Sequence, residues 1–222
     1  MSKKIVLLGA GGHAREVLDI VEACGNAGED IGVLGYIVEP QYGSPGMIVN
    51  DKPVLGDFDW FAENTENVYA ICAVGDPVLR RHLVKKAQNW GARFHSIIHP
   101  NAILAQRVTI GQGVVIAAGC VLTNQIRLGD HVHLNPGCTI GHDTVLDDYV
   151  TLTQGVNIAG KVKISAGCFI GIGANIIDRI NVGEWSIIGA GSTIVRDVVA
   201  NTTVVGVPGR VIKTRFSGWH LG

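Results

Sequence analysis

The chain has almost no charge of either sign to spare, with 18 lysines and arginines against 19 aspartates and glutamates for a net charge of −1. That balance excludes the basic field that draws nucleic acid, and no nucleic-acid partner is expected. No hydrophobic run approaches the roughly 18 residues of a membrane span, so no membrane span is expected. Met-Ser-Lys-Lys leads straight into an apolar strand without the pattern of a secretory leader, which makes a cytoplasmic protein the default. Cysteine is scarce, five in all and never in a paired CxxC spacing, so zinc is not suggested.

Against these absences stands one long regularity. From Leu104 to Ile194 an aliphatic residue recurs at every sixth position, through Ile110, Ile116, Leu122, Leu128, Leu134, Ile140 and onward, for sixteen uninterrupted hexads. Four residues after each lead comes a small or β-branched residue, from Val108 and Val114 through Cys120, Cys138 and Cys168 to Val198. Six matches neither a 3.6-residue helix nor a two-residue strand alternation, and it is the period of a parallel β-helix. Each hexad would supply one flat side of a prism, with the lead pointing inward and coils about 4.8 Å apart. Coils bury their faces only against neighbours, so many are needed. The repeat is expected from Ile98 to Val199, without a loop excursion and in five to six coils. Cys120, Cys138 and Cys168 read as core filler. This region resembles the hexapeptide-repeat acyltransferases, and the resemblance implies a left-handed helix of three hexads per coil. Residues 18 apart would then share a column.

The first 95 or so residues obey no such period. Lys4 to Leu8 is a short strand that ends in Gly9-Ala10-Gly11-Gly12-His13-Ala14, and an amphipathic helix follows from about Ala14 to Cys24. This is the strand, glycine turn and helix start of a G-x-G-x-x-A fingerprint. Val33 to Val38, Tyr69 to Val74 and Arg93 to Ile97 read as further parallel strands, with a helix near Pro77 to Trp90 between the last two. Three readings of the turn are open. One is a nicotinamide cofactor with Glu39 on its ribose, although the stretch is too short for a full six-stranded dinucleotide fold. The second is another nucleotide diphosphate, whose phosphates would meet backbone N–H groups at the helix start. The third is a purely structural turn. Gly75-Asp76 ends a strand where ligands of open α/β sheets bind, and Arg80 or Arg81 on the next helix could face a phosphate.

The glycine turn, the Ala-Val-Gly-Asp turn at 73–76, Ile140-Gly141-His142-Asp143 and the closing Gly206-Val207-Pro208-Gly209-Arg210 together resemble the sialic-acid O-acetyltransferase (NeuD) family. That family of hexapeptide-repeat sugar acetyltransferases includes N-acetyltransferases of nucleotide-linked amino sugars. The likeness covers about Lys4 to Ile212. It implies a short Rossmann-like α/β domain at 1–97 that holds the nucleotide sugar, a left-handed β-helix acetyltransferase domain at 98–212, and a tail at 213–222. It implies acetyl-CoA as co-substrate, His142 as catalytic base and Asp143 as its partner. Gly9, Gly11, Gly12 and His13 match its nucleotide-sugar loop, and Glu39, Gly75 and Arg80 are carried as further substrate-binding candidates. It also implies a homotrimer whose active site is shared between neighbouring helices, with coenzyme A running past Gly160, Gly171, Ile172, Gly189 and Ala190.

His142 can be read without the resemblance. It takes the third place of its hexad, where side chains turn outward, so core burial does not explain it. If residues 18 apart stack, its column is Gln106, Asn124, His142, Gly160 and Asp178. Gly160 one coil on would expose a backbone N–H to a developing oxyanion. An imidazole, ordinarily titrating near 6.5, suits a general base. His131 and His133 on the preceding hexad raise a zinc alternative, but His131 and His142 fall on different sides of the prism, and no metal is expected. The expected activity is N-acetylation of a nucleotide-linked amino sugar. Its rivals are O-acetylation of a sialic acid or related sugar, and a non-catalytic sugar-nucleotide scaffold.

Overall fold

The structure, a computed structural model, describes residues 2–64 and 66–221. Met1, Gly222 and Thr65 lie outside the described residues, so the outermost residues of the expected first domain and tail are not described. The chain divides into two compact units, Met1–Gly75 with Leu79–Pro100, and Asp76–Val78 with Asn101–Gly222.

In the first unit β1 (Lys3–Leu8) leads through the glycine turn into α1 (Gly12–Asn26), then β2 (Ile31–Ile37), β3 (Ile48–Val49), β4 (Lys52–Gly56), β5 (Val68–Cys72) and α2 (Pro77–Asn89). The sheet order is β3-β4-β2-β1-β5. β1 is paired in parallel with β2 and β5, and β2 with β4, whereas β3 runs antiparallel to β4. β1 lies inside the sheet, between β2 and β5, and its Ile5, Val6, Leu7 and Leu8 are all fully buried. α1 packs because Ala14, Val17, Leu18, Val21 and Cys24 recur at helical spacing and are buried. The expected strand over Arg93 to Ile97 is reduced, in this sheet, to one parallel bridge, Ala70 to Phe94. Strands β3 and β4 were not legible, because the two residues of β3 carry no period and β4, Lys-Pro-Val-Leu-Gly, holds a proline and no polar–apolar alternation.

The second unit is a parallel β-helix. Its two-residue strands pair at a constant step of 18, as in Val121 with Thr139 and Leu122 with Ile140, then Ile140 with Ile158 and Ile158 with Ile176. The walls are three parallel sheets, running from Ile103–Leu104 to Thr193–Ile194, from Val108–Ile110 to Asn181–Val182, and from Val115–Ile116 to Thr202–Val205. The leads from Ile116 to Ile194 are buried, with Ile110 partly open at 36 %. No excursion interrupts the wall through Ile194.

The frame then shortens. Val182 bridges Val198, and Ile187 and Ile188 pair with Thr203 and Val204, a step of 16 rather than 18. Val198, expected at a small-residue corner, therefore takes a lead position, and the last coil runs past Val199 to Val205. Arg210–Thr214 folds back antiparallel on Thr202–Val205. Beyond it, His220 stacks flat on Trp185 with ring centroids 3.8 Å apart.

The small corner residues do more than fill. The thiols of Cys120, Cys138 and Cys168 donate to the carbonyls of Asn135, Thr153 and Gly183 at 3.1–3.2 Å, each 15 residues ahead. Thr144 makes the same bond to the Ala159 carbonyl at 3.1 Å. A small side chain with one donor thus gives a corner carbonyl a hydrogen-bond partner. All five cysteines are free and buried. Burial pushes the thiols of Cys72 and Cys168 up to about 12, which leaves them unreactive. Among the described residues no helix is long and apolar enough to cross a membrane.

Candidate functional site

His142 follows the Thr139–Ile140 strand directly, at a corner of the first wall. From Asn124 onward the predicted column is present as a backbone ladder, with Asp143 N–H donating to the Asn124 carbonyl at 3.0 Å, Lys161 to His142 at 2.8 Å and Arg179 to Gly160 at 3.1 Å. The next residue, Asp143, turns the corner with φ of 60°. That turn brings its carboxylate back to the preceding ring, and His142 Nδ1 lies 2.7 Å from Asp143 Oδ2. Both side chains are open to solvent, 60 % and 41 % exposed. With Nδ1 donating to the carboxylate, Nε2 is the nitrogen left to accept a proton.

Gly160 has a different first duty from the one its sequence suggested. The imidazole of His142 lies across it, and a Cβ built there would sit 2.7 Å from Nε2 and 2.8 Å from Cε1. The glycine is therefore a seat for the ring. The molecule uses the same device elsewhere, since Gly113 lies under the ring of His131 and Gly167 under that of Trp185. Gly160 also contributes its carbonyl to the column's ladder.

The remaining histidines of the zinc alternative are placed otherwise. His131 is 1 % exposed and stacks on Tyr149 with centroids 5.3 Å apart, and His133 is fully buried. Among the described residues no group of three His, Cys, Asp or Glu side chains is arranged to hold a metal ion.

Gly171, Ile172, Gly189 and Ala190 follow strands of the third wall, not the wall that carries His142. Gly171 is buried beneath the next coil, where a Cβ would meet Ala190 N at 2.6 Å, whereas Ile172 stands 58 % exposed. In Gly189 a Cβ would meet Val205 Cγ1 at 2.7 Å. The two glycines thus let coils stack closely, and Ile172 and Ala190 beside them are exposed.

In the α/β unit a cavity of about 380 Å³ opens at the carboxyl ends of β1 and β2. It brings together Gly9, Gly11 and Glu39 of the sequence-derived set; Gly12, His13, Gly75 and Arg80 are not among the residues that line it. Gly9 requires its glycine, having φ of +96° with Val74 against the missing side chain, whereas nothing lies within 4 Å of a Cβ at Gly11. Gly11 is the N-cap of α1 and supplies no side-chain cap, and a helix start carries a partial charge that favours an anion. His13 bonds Glu16 one turn on, Nδ1 to Oε2 at 3.0 Å.

Arg80 could face a phosphate on sequence grounds, but the fold turns its guanidinium inward. It is fully buried, and its Nη1 donates to the carbonyls of Val74 and Gly75 at 2.8 and 3.0 Å. It holds the end of β5 together and so shapes the Gly75 turn from within. Sequence reasoning missed Lys86 and Gln41, which grip Glu39. Lys86 Nζ donates to Oε1 at 2.9 Å and Gln41 Nε2 to Oε2 at 3.2 Å. Burial alone would lower the Lys86 ammonium, but its hydrogen bond to Glu39 and the charges of Asp57 and Glu39 leave it raised. Glu39 and Lys86 are 47 residues apart, and no local pattern announces such a pair.

Residues 4–87 match the PglD N-terminal domain, and residues 94–124 match the bacterial transferase hexapeptide repeats. No curated protein matches the chain. Among solved structures, a histidine-to-asparagine variant of perosamine N-acetyltransferase from Caulobacter crescentus, in complex with CoA and GDP-perosamine, is 30 % identical. It aligns over 95 % of this chain and 97 % of its own with a TM-score of 0.86. The acetyltransferase domain of PglB from Neisseria gonorrhoeae, in complex with acetyl coenzyme A, is 30 % identical over 96 % of this chain and 100 % of its own, TM-score 0.85. WeeI from Acinetobacter baumannii is 27 % identical over 94 % and 99 %, TM-score 0.84.

Proposed function

We infer, from the premise that this chain belongs to the NeuD/PglD family of hexapeptide-repeat sugar acetyltransferases, its activity and the residues that carry it. It is an acetyl-CoA-dependent N-acetyltransferase that acts on a nucleotide-linked amino sugar. The α/β unit holds the nucleotide, with its phosphates at Gly9, Gly11, Gly12 and His13, while Gly75, shaped by Arg80, completes the loop. The β-helix does the chemistry. The observation that carries its assignment is the exposed His142–Asp143 pair at 2.7 Å, seated on Gly160.

In the reaction the sugar amine attacks the thioester carbonyl, forming the C–N bond, and the C–S bond then breaks to release coenzyme A. His142 Nε2 takes the proton that the amine sheds and returns it to the departing thiolate. Asp143 fixes the ring and stabilises the imidazolium. The Gly160 N–H, beside the ring, meets the oxyanion. Coenzyme A lies along Gly171, Ile172, Gly189 and Ala190. Because those residues and His142 belong to different walls of one prism, we assign them to neighbouring chains of a homotrimer, where two prisms together form the concave site that a thioester needs. Five free buried thiols and phosphorylated co-substrates support a cytoplasmic location.

The test is to incubate the protein with acetyl-CoA and UDP-, GDP- or dTDP-linked amino sugars, following thiol release and product mass. A gain of one acetyl group on an amine supports the reading. Acetylation of a sugar hydroxyl would move it to O-transfer, and binding without turnover would leave a scaffold.

A further inference from the structure

We propose that the Glu39 carboxylate selects guanine as the base of the nucleotide, an inference that rests on the nucleotide-binding reading of the α/β cavity. The walls of that cavity are apolar, formed by Tyr42, Met47, Val49, Phe58, Leu79 and Leu83. Such walls suit the flat faces of a base better than a sugar or a phosphate. Gly9 and Gly11 lie on the same cavity, which puts the phosphates at the start of α1, where the helix dipole favours an anion, and leaves the apolar part to the base. Among the lining residues Glu39 carries the only charge.

The state of that carboxylate decides what it can read. Lys86 holds Oε1 and Gln41 holds Oε2. Lys86 is itself anchored, 3.6 Å from Asp57 Oδ1 and 4.6 Å from the centroid of the Phe58 ring. A carboxylate has about four lone-pair sites, so one is left on each oxygen. Glu39 therefore presents two adjacent acceptors and no donor, in an orientation fixed from two sides.

Only one common base answers that pattern. Guanine carries two neighbouring donors on its Watson–Crick edge, N1–H and the exocyclic N2–H, spaced for the two oxygens of one carboxylate. Uracil and thymine flank a single N3–H with carbonyls, so one carboxylate oxygen would face another oxygen. Adenine and cytosine set an acceptor ring nitrogen beside their amino group, with the same conflict. A charged group left opposite an acceptor in an apolar cavity is penalised far more than a neutral mismatch.

The experiment is calorimetric binding of GDP, IDP, UDP, dTDP and ADP to the full chain and to Glu39→Gln. IDP keeps N1–H and lacks the 2-amino group, so it removes one donor and nothing else. For the wild type GDP should bind tightest, exceeding IDP by roughly tenfold to a hundredfold, the usual worth of a hydrogen bond to a charged group. In Glu39→Gln the carboxamide keeps one acceptor and replaces the other by a donor. GDP and IDP should then bind within a few-fold of each other, and retained IDP binding shows that the cavity is intact. Equal GDP and IDP affinities in the wild type, tighter UDP or dTDP, or an unchanged GDP-to-IDP ratio in the variant would each overturn guanine selection while leaving the cavity a nucleotide site. Failure of every diphosphate to bind would overturn the nucleotide reading itself.

Discussion

The two units of this chain place their functional groups by opposite means. In the β-helix every residue's surroundings follow from its number: add 18 and the neighbour in the next coil is known, as the Leu122, Ile140, Ile158 and Ile176 row shows. In the α/β unit the decisive contacts join residues with no common interval, such as Glu39 with Lys86 and Arg80 with Val74 and Gly75. A site on the first kind of scaffold is held by repetition, so a side chain on its outer face can be removed without cost to the fold. A site on the second kind is held by a few long side chains, and their loss costs both stability and binding.

The sharpest way to break this contrast is to remove His142. Because its ring stands outside the wall, His142→Ala should lower kcat by about 10²–10⁴ and leave the melting temperature and coenzyme affinity unchanged. Asp143→Asn should cost less, since the amide still orients the ring. Near-normal turnover in steady-state assays of the alanine variant would take the histidine out of the mechanism.

Arg80→Met tests the other side. It strips a charged donor from two carbonyls in a fully buried place, and the α/β unit should lose about 2–4 kcal/mol in urea denaturation. The Michaelis constant for the sugar nucleotide should rise with it while that for acetyl-CoA stays put. An unchanged unfolding transition would mean that the end of β5 needs no such anchor.

Gly160→Ala separates the seat from the oxyanion donor, because alanine keeps the N–H but drives a methyl into the imidazole. A misplaced base should lower kcat by up to about 10², with little change in either Michaelis constant. If kcat holds, the ring's position on Gly160 is not what the reaction uses.

The smallest effect is a pH dependence confined to the α/β unit. Burial, reinforced by the charge of Lys3 and opposed by Glu29, holds the His95 imidazole below its ordinary value of 6.5. The unfolded chain therefore takes up a proton near 6.5 that the folded protein takes up only at lower pH. The contribution is present in full above about 6.5 and is lost as pH falls below it. His95→Gln should flatten the decline in melting temperature between pH 7.5 and pH 5.5, and an equal decline in both proteins would assign it to other groups.

The hexad period was enough to determine the β-helix, the inward leads and the outward direction of His142, while the 18-residue column through that histidine needed the three hexads per coil that the family resemblance implied. A repeat makes local sequence and three-dimensional neighbourhood the same information, because each coil sees only the coils beside it. Where the repeat lost two residues after Ile194, that equivalence failed, and Val198 moved from a corner to a lead. The glycine fingerprint likewise determined the strand, turn and helix at Lys3–Asn26, since those contacts are local. Only the tertiary structure decided that Gly160 is a seat for a ring, that Arg80 faces inward and that Lys86 and Gln41 aim Glu39. Each of those depends on where a long or absent side chain ends in space, and a backbone period does not encode that.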